Sequence, residues 1–279
     1  MSKRSFLSTL ALCFSLNAFG ADFKDADAKF ALRDTSLQAT LDARAAYQAL
    51  LDQGVTGDDL LRAGTGYIRT FLFEGTHFNS LKTEQGKKSR KQIFNSIQKV
   101  AVEIISPAKL GYESPAYYYF KASTIAYEAE VSGILDRLML LPKLNAAIST
   151  GLATQGGATF EGGGILRVKA AVKGNPEAKG LPGGLYNPTE ALKLAENAIA
   201  SEAFPGNAEG TLFCENFRRK VGIQIELGLK AEALATAEKT LADFQSYLDD
   251  GLIPEFVRAE TGDCLLTVAE LKNSLNSTH

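Results

Sequence analysis

The sequence predicts an all-α protein built as an irregular, tetratricopeptide-like solenoid of helical hairpins. Apolar residues recur at helical spacing through almost the whole chain. No long alternating, β-branched run interrupts them, and Ser, Thr, Asn and Pro signals for helix starts alternate with Gly and Pro signals for helix ends.

The first 20 residues stand apart. Lys3 and Arg4 precede an apolar run from Phe6 to Phe19, and the small residues Ala18 and Gly20 follow the pattern of a secretory signal cleaved between Gly20 and Ala21. The run is shorter than the roughly 20 residues a spanning helix needs. Cys13 raises a lipoprotein alternative, but bulky Leu12 stands where a lipid-attachment signal wants a small residue. Cleavage would leave residues 21–279 as one helical-repeat domain with 28 basic and 32 acidic residues, a net charge of −4. In a Gram-negative cell its address is the periplasm.

In the remainder, Thr35 and Ser36 open a helix through Ala43, Ala46, Tyr47 and Leu50, which Gly54 ends. A second begins at residues 56–58, carries Leu61, Gly64, Ile68, Phe71 and Leu72 on one face and stops near Gly75. A third follows a basic turn at Lys87 to Lys91 and closes before Pro107. From Ser114 and Pro115 one longer helix is expected, which Pro142 ends or kinks because its ring removes an N–H and clashes with the preceding turn. A short helix to Gly151 comes next, then a glycine-rich entry at 156–164 to a helix carrying Ile165, Val168 and Val172, and a turn region over 175–184. Asn187 and Pro188 open the next helix. Residues 210–228 and 230–247 form a further pair, and a last helix runs from Pro254 to Leu275.

The repeat signal lies in small residues at helix-crossing spacing. Ala191, Ala195 and Ala198 supply one phase and Ala233, Ala237 and Thr240 the next, 42 residues later, against about 34 in a regular tetratricopeptide array. The segments Glu161 to Arg167, Asn175-Pro176 and Tyr186 to Leu192, with Pro115 to Tyr119 and Leu140 to Leu144, resemble the tetratricopeptide-like periplasmic T components associated with TRAP transporters (the TatT-like family). That resemblance covers roughly residues 55–275. It implies an all-helical array around a central cleft or pore, and a role beside a periplasmic substrate-binding protein that feeds a secondary transporter.

Charge and composition narrow the function. A net charge of −2 for the whole chain and the lack of a basic block argue against a nucleic-acid partner. Only His77 and His279 are present, which leaves little for imidazole catalysis or a multi-histidine metal site, and the sequence calls for no cofactor. Asp58-Asp59 and Asp249-Asp250 sit at turns, where they read as capping and solvation rather than a catalytic pair. The expectation is a binding or adaptor protein and not an enzyme, with a general protein-interaction scaffold as the alternative.

Arg167 is the leading binding candidate, facing a cleft or pairing with a carboxylate such as Glu161. Beside it stand Tyr117, Tyr118 and Tyr119: with Phe120 they place aromatics on all sides of a helix, so that at least one leaves the core and suits a small apolar or amphipathic ligand. Arg218, Arg219 and Lys220 fan around a helix and are expected on a solvated face. Glycines 156, 157 and 162–164 are expected to permit close helix approach and a flexible entry turn, with an anion held on their backbone N–H groups beside Arg167 as the alternative. After signal removal, Cys214 and Cys264 are the two cysteines in an oxidising compartment. They form either one bridge or two buried thiols. The bridge requires the last helix to cross near the start of the 210–228 helix.

Overall fold

The computed structural model describes residues 21–179, 185–201 and 213–277, all helix, turn or irregular backbone with no strand among them. The expected cleavage point before Ala21, Cys13, the turn at 181–184 and the start of the 210–228 segment lie outside the described residues. No described helix is long and apolar enough to cross a membrane.

The chain opens with α1 (Lys24–Ala31), α2 (Leu37–Asp52) and α3 (Gly57–His77). Ser36 caps α2 by accepting the Ala39 N–H on its hydroxyl, the role its position predicts. α3 does not stop at Gly75 but runs on to His77. Gly75 serves packing instead: a Cβ there would lie 2.8 Å from the Phe94 ring, so the missing side chain lets α4 approach.

α4 (Glu84–Ser96) begins at the cap Thr83, continues through a π-helical turn (Ile97–Ala101) and ends in the short α5 (Val102–Ile104). The expected basic turn at Lys87 to Lys91 is therefore helix. Lysines are good helix formers, and the Thr83 hydroxyl accepting the Gly86 N–H supplies the start signal four residues earlier.

After α6 (Pro107–Leu110), the single helix expected up to Pro142 is two helices, α7 (Pro115–Glu130) and α8 (Ile134–Ala153), with Pro142 inside the second. Arg137 explains where the break falls. Its guanidinium donates to the carbonyls of Ala129 (2.8 Å), Ser132 (2.9 Å) and Glu130 (3.3 Å), adding side-chain donors to the carbonyls at and just after the helix end.

α9 (Phe160–Gly174) leads into α10 (Pro188–Ile199), capped by Asn187 accepting the Glu190 N–H. α11 (Cys214–Glu226), α12 (Lys230–Asp249) and α13 (Glu255–Asn276) complete the chain. Both phases of small residues are buried: Ala191, Ala195 and Ala198 on α10, and Ala233, Ala237 and Thr240 on α12. Helices pack on their neighbours along the chain, α2 on α3, α7 on α8, α9 on α10 and α11 on α12.

The two ends of the array meet. α13 packs on α11 and α12 and also touches α1. Arg33, just after α1 and 1 % exposed, donates to the carbonyls of Phe256 (3.2 Å) and Glu255 (3.4 Å) and to the Glu260 carboxylate (2.5 Å). At the far end of α3, His77 Nδ1 lies 2.7 Å from Asp263 of α13. Successive helices thus close around a central space instead of ending as an open stack.

Candidate functional site

That space is a cavity of about 460 Å³. α3 contributes Arg69, Phe73 and Thr76, and α4 contributes Arg90. From α7 come Tyr119, Phe120, Ser123, Tyr127 and Glu130, and from α9 Glu161 and Arg167. Phe213 and α11 supply Glu215, Arg218 and Arg219, and α13 supplies Phe256, Glu260, Thr261 and Thr267.

The aromatic run of α7 is distributed by helical geometry. Tyr119 turns into the cavity and Phe120 lies at its wall. Tyr117 is buried elsewhere, hydrogen-bonding Glu103 at 3.0 Å and accepting from Lys121. Tyr118 donates to Glu113 at 2.6 Å and packs over Gly151. Of the three tyrosines read from the sequence, the structure brings only Tyr119 together with Arg167. Tyr117 and Tyr118 are not among the described lining residues.

Arg167 is 7 % exposed. Its Nη1 donates to Asn216 Oδ1 at 2.7 Å and to the Glu161 carbonyl at 3.4 Å, and its Nη2 donates to the Tyr119 hydroxyl at 3.3 Å. Its guanidinium lies 5.3 Å from the Phe213 ring centroid, within cation–π range. The Glu161 contact is to backbone, because the Glu161 carboxylate is taken by Arg69.

This arrangement depends on an unusual entry to α9. Glu161, Gly162 and Gly163 all adopt left-handed backbone, with φ of 49°, 58° and 75°. For glutamate that costs about 1–3 kcal/mol, and its ion pair with Arg69 offsets it. A Cβ on Gly163 would sit 2.6 Å from the Ala198 Cα, so close packing on α10 excludes any side chain. Asn216, fully buried, donates to the Gly162 carbonyl at 2.7 Å while accepting from Arg167. One amide thus holds both the strained turn and the arginine.

Arg218 and Arg219 do not lie on a solvated face. Both grip Glu215 at the cavity wall, Arg218 Nε at 2.5 Å and Arg219 Nε at 3.0 Å, while Lys220 turns away to Glu196. Adjacent helical residues do fan apart, but two of these three arcs fall within reach of one carboxylate. Burial alone would raise the Glu215 pKa, yet the charges of Arg218 and Arg219 outweigh it and hold it at about 2. Burial and then the nearby Glu215 charge push Tyr127 up to about 12. Burial also raises Tyr119 despite the opposing Arg167, so its hydroxyl keeps its proton at neutral pH. Glu260 is raised by burial, which outweighs its pairing with Arg33.

Cys214 and Cys264 form a disulfide at the cavity wall with Cα atoms 6.2 Å apart, tying α11 to α13. Arg69, Glu215, Asn216 and Glu260 were not singled out in the sequence. The only local signal for Asn216 is its place between Cys214 and Phe217, on a helix face that turns inward. The partners of the other three come from remote segments. No protein family, curated protein or solved structure matches the chain.

Proposed function

We propose that this protein is an exported helical-repeat binding protein that holds a small amphipathic ligand in its central cavity. It works beside a periplasmic substrate-binding protein, as the resemblance to TRAP-associated T components implies. The carrying observation is the cavity itself: large enough for a small ligand, bounded by helices from both ends of the chain, and lined by aromatic rings interleaved with arginines and carboxylates. An adaptor role draws support from α8, where the apolar side chains of Ile134, Leu135 and Met139 are 62 %, 73 % and 67 % exposed. Binding is favoured over catalysis because Arg69, Arg90, Arg218 and Arg219 at the wall are committed to carboxylates in ion pairs, which builds a stable lining.

Native mass spectrometry of the chain purified from its exporting host tests both parts. The expected spectrum shows a mature chain beginning at Ala21 with a small molecule bound at one to one, released by the cavity-filling change Thr267→Trp. A bound species indifferent to that change would place the ligand elsewhere, and a chain still carrying its first 20 residues would remove the export reading. Crosslinking that captures a substrate-binding protein from wild type, but not from a Leu135→Glu variant, would support the adaptor role.

A further inference from the structure

We propose that the cavity selects an amphipathic monocarboxylate, its carboxylate on Arg167 and Tyr119 and its apolar body among Phe73, Phe120, Phe213 and Phe256. This rests on the cavity-binding reading above and adds the ligand's charge and the atoms that read it.

The ionic groups at the wall are matched in pairs, with one exception. Among the described residues Arg69 is paired with Glu161, Arg90 with Glu130, Arg33 with Glu260, and Arg218 and Arg219 share Glu215. Asp263 is engaged by His77. Arg167 alone of these arginines has no carboxylate within 4.0 Å, although it is more than nine-tenths buried. Among the described residues, counting Arg33 with the lining, six arginines face five carboxylates, one positive charge in excess when His77 is neutral. The direct hydrogen-bond partners of this buried guanidinium are all neutral, and the nearby Glu161 and Glu215 that support its charge are each gripped by other arginines, so an anionic ligand would supply the direct counter-ion it lacks.

Donor geometry sets the shape of that anion. Both contacts of Nη1 are intramolecular, whereas Nη2 uses one of its two N–H groups on the Tyr119 oxygen. The Tyr119 hydroxyl accepts there and keeps its own proton to donate. The second N–H of Nη2 and the Tyr119 O–H, on atoms 3.3 Å apart, are left for a ligand and match the two oxygens of a carboxylate. A phosphate dianion would bring a second charge toward Glu161 and Glu215 with no unpaired cation to receive it. A neutral alcohol would leave Arg167 without a direct counter-ion.

The test uses the mature chain with octanoate, 1-octanol and octyl phosphate as probes, followed by calorimetry at neutral pH. Octanoate is expected to bind at least tenfold more tightly than either of the others. Tyr119→Phe should weaken octanoate several-fold, and Arg167→Gln should abolish the preference for octanoate over octanol while octanol binding persists. Circular dichroism and thermal melts confirm folding, and Tyr119→Phe serves where Arg167→Gln does not fold. Equal binding of octanol and octanoate, tighter binding of octyl phosphate, or a preference untouched by both variants overturns the monocarboxylate inference while leaving the cavity a binding site. Failure of all three probes to bind, with Thr267→Trp equally silent, overturns the cavity-binding reading as well.

Discussion

Gly163 shows how much one missing side chain controls. It sits at φ 75° with the α10 backbone where its Cβ would be, so Gly163→Ala meets both a conformational and a steric penalty. The expected cost is about 2–4 kcal/mol, read as a lowered denaturation midpoint with unchanged slope. Glu215 makes the corresponding electrostatic case. Its folded pKa of about 2 lies below the ordinary 4.5, so the unfolded chain binds more protons over that interval. The stability it contributes is present above 4.5 and lost as pH falls toward 2, on the order of 2 kcal/mol after allowing for partial exposure. Glu260, raised by burial, acts with the opposite sign: its contribution is present below its unfolded value and lost as pH rises through the folded one. Urea titrations between pH 2 and 7 should show the acid-side loss in wild type and a flatter profile in Glu215→Gln, which should also be less stable at pH 7. Identical slopes in the two proteins would remove Glu215 from the account.

Between elements, the covalent tie from α11 to α13 is the clearest device. The bridge closes a separation of 50 residues, which in the chain-entropy picture stabilises the fold by about 4 kcal/mol. Thiol counting on denatured, unreduced protein should find no free cysteine among Cys214 and Cys264. A reductant should lower the melting temperature markedly, and local hydrogen exchange should rise first in α13. Since both cysteines line the cavity, a Cys214→Ser/Cys264→Ser double variant should also weaken ligand binding; full affinity in that variant would show that the tie serves stability alone.

For the molecule as a whole, closure depends on a small set of long-range contacts. Arg33 joins the first helices to the last through two carbonyls and a carboxylate while its guanidinium stacks 4.0 Å from the Phe30 ring centroid. Arg33→Met keeps the length of the side chain but leaves Glu260 without its arginine and the two carbonyls without a donor. A loss of about 3 kcal/mol is expected, with hydrogen-exchange protection falling in α1 and α13 but not in α7 and α8. Uniform loss across all helices would mean that the closure is not a separable contact.

Periodicity, capping and small-residue spacing are local properties, so the helical class, the caps at Ser36 and Asn187 and the buried alanines of α10 and α12 could be read from the order of residues alone. The same reasoning brought Arg167 and Cys214 with Cys264 forward as residue types that need a partner. It failed where a helix boundary rests on a side chain reaching back over the chain, as Arg137 does at the end of α7. It failed again at Arg218 and Arg219, whose surroundings are set by helices far away in sequence. Which tyrosine meets Arg167 depended on the rotation of α7 against α9, a packing angle that four consecutive aromatics leave undetermined. The cavity exists only because α13 returns to α1 and α3. That return is written in pairings such as Arg33 with Glu260 and His77 with Asp263, more than 180 residues apart, for which no local pattern carries a signal.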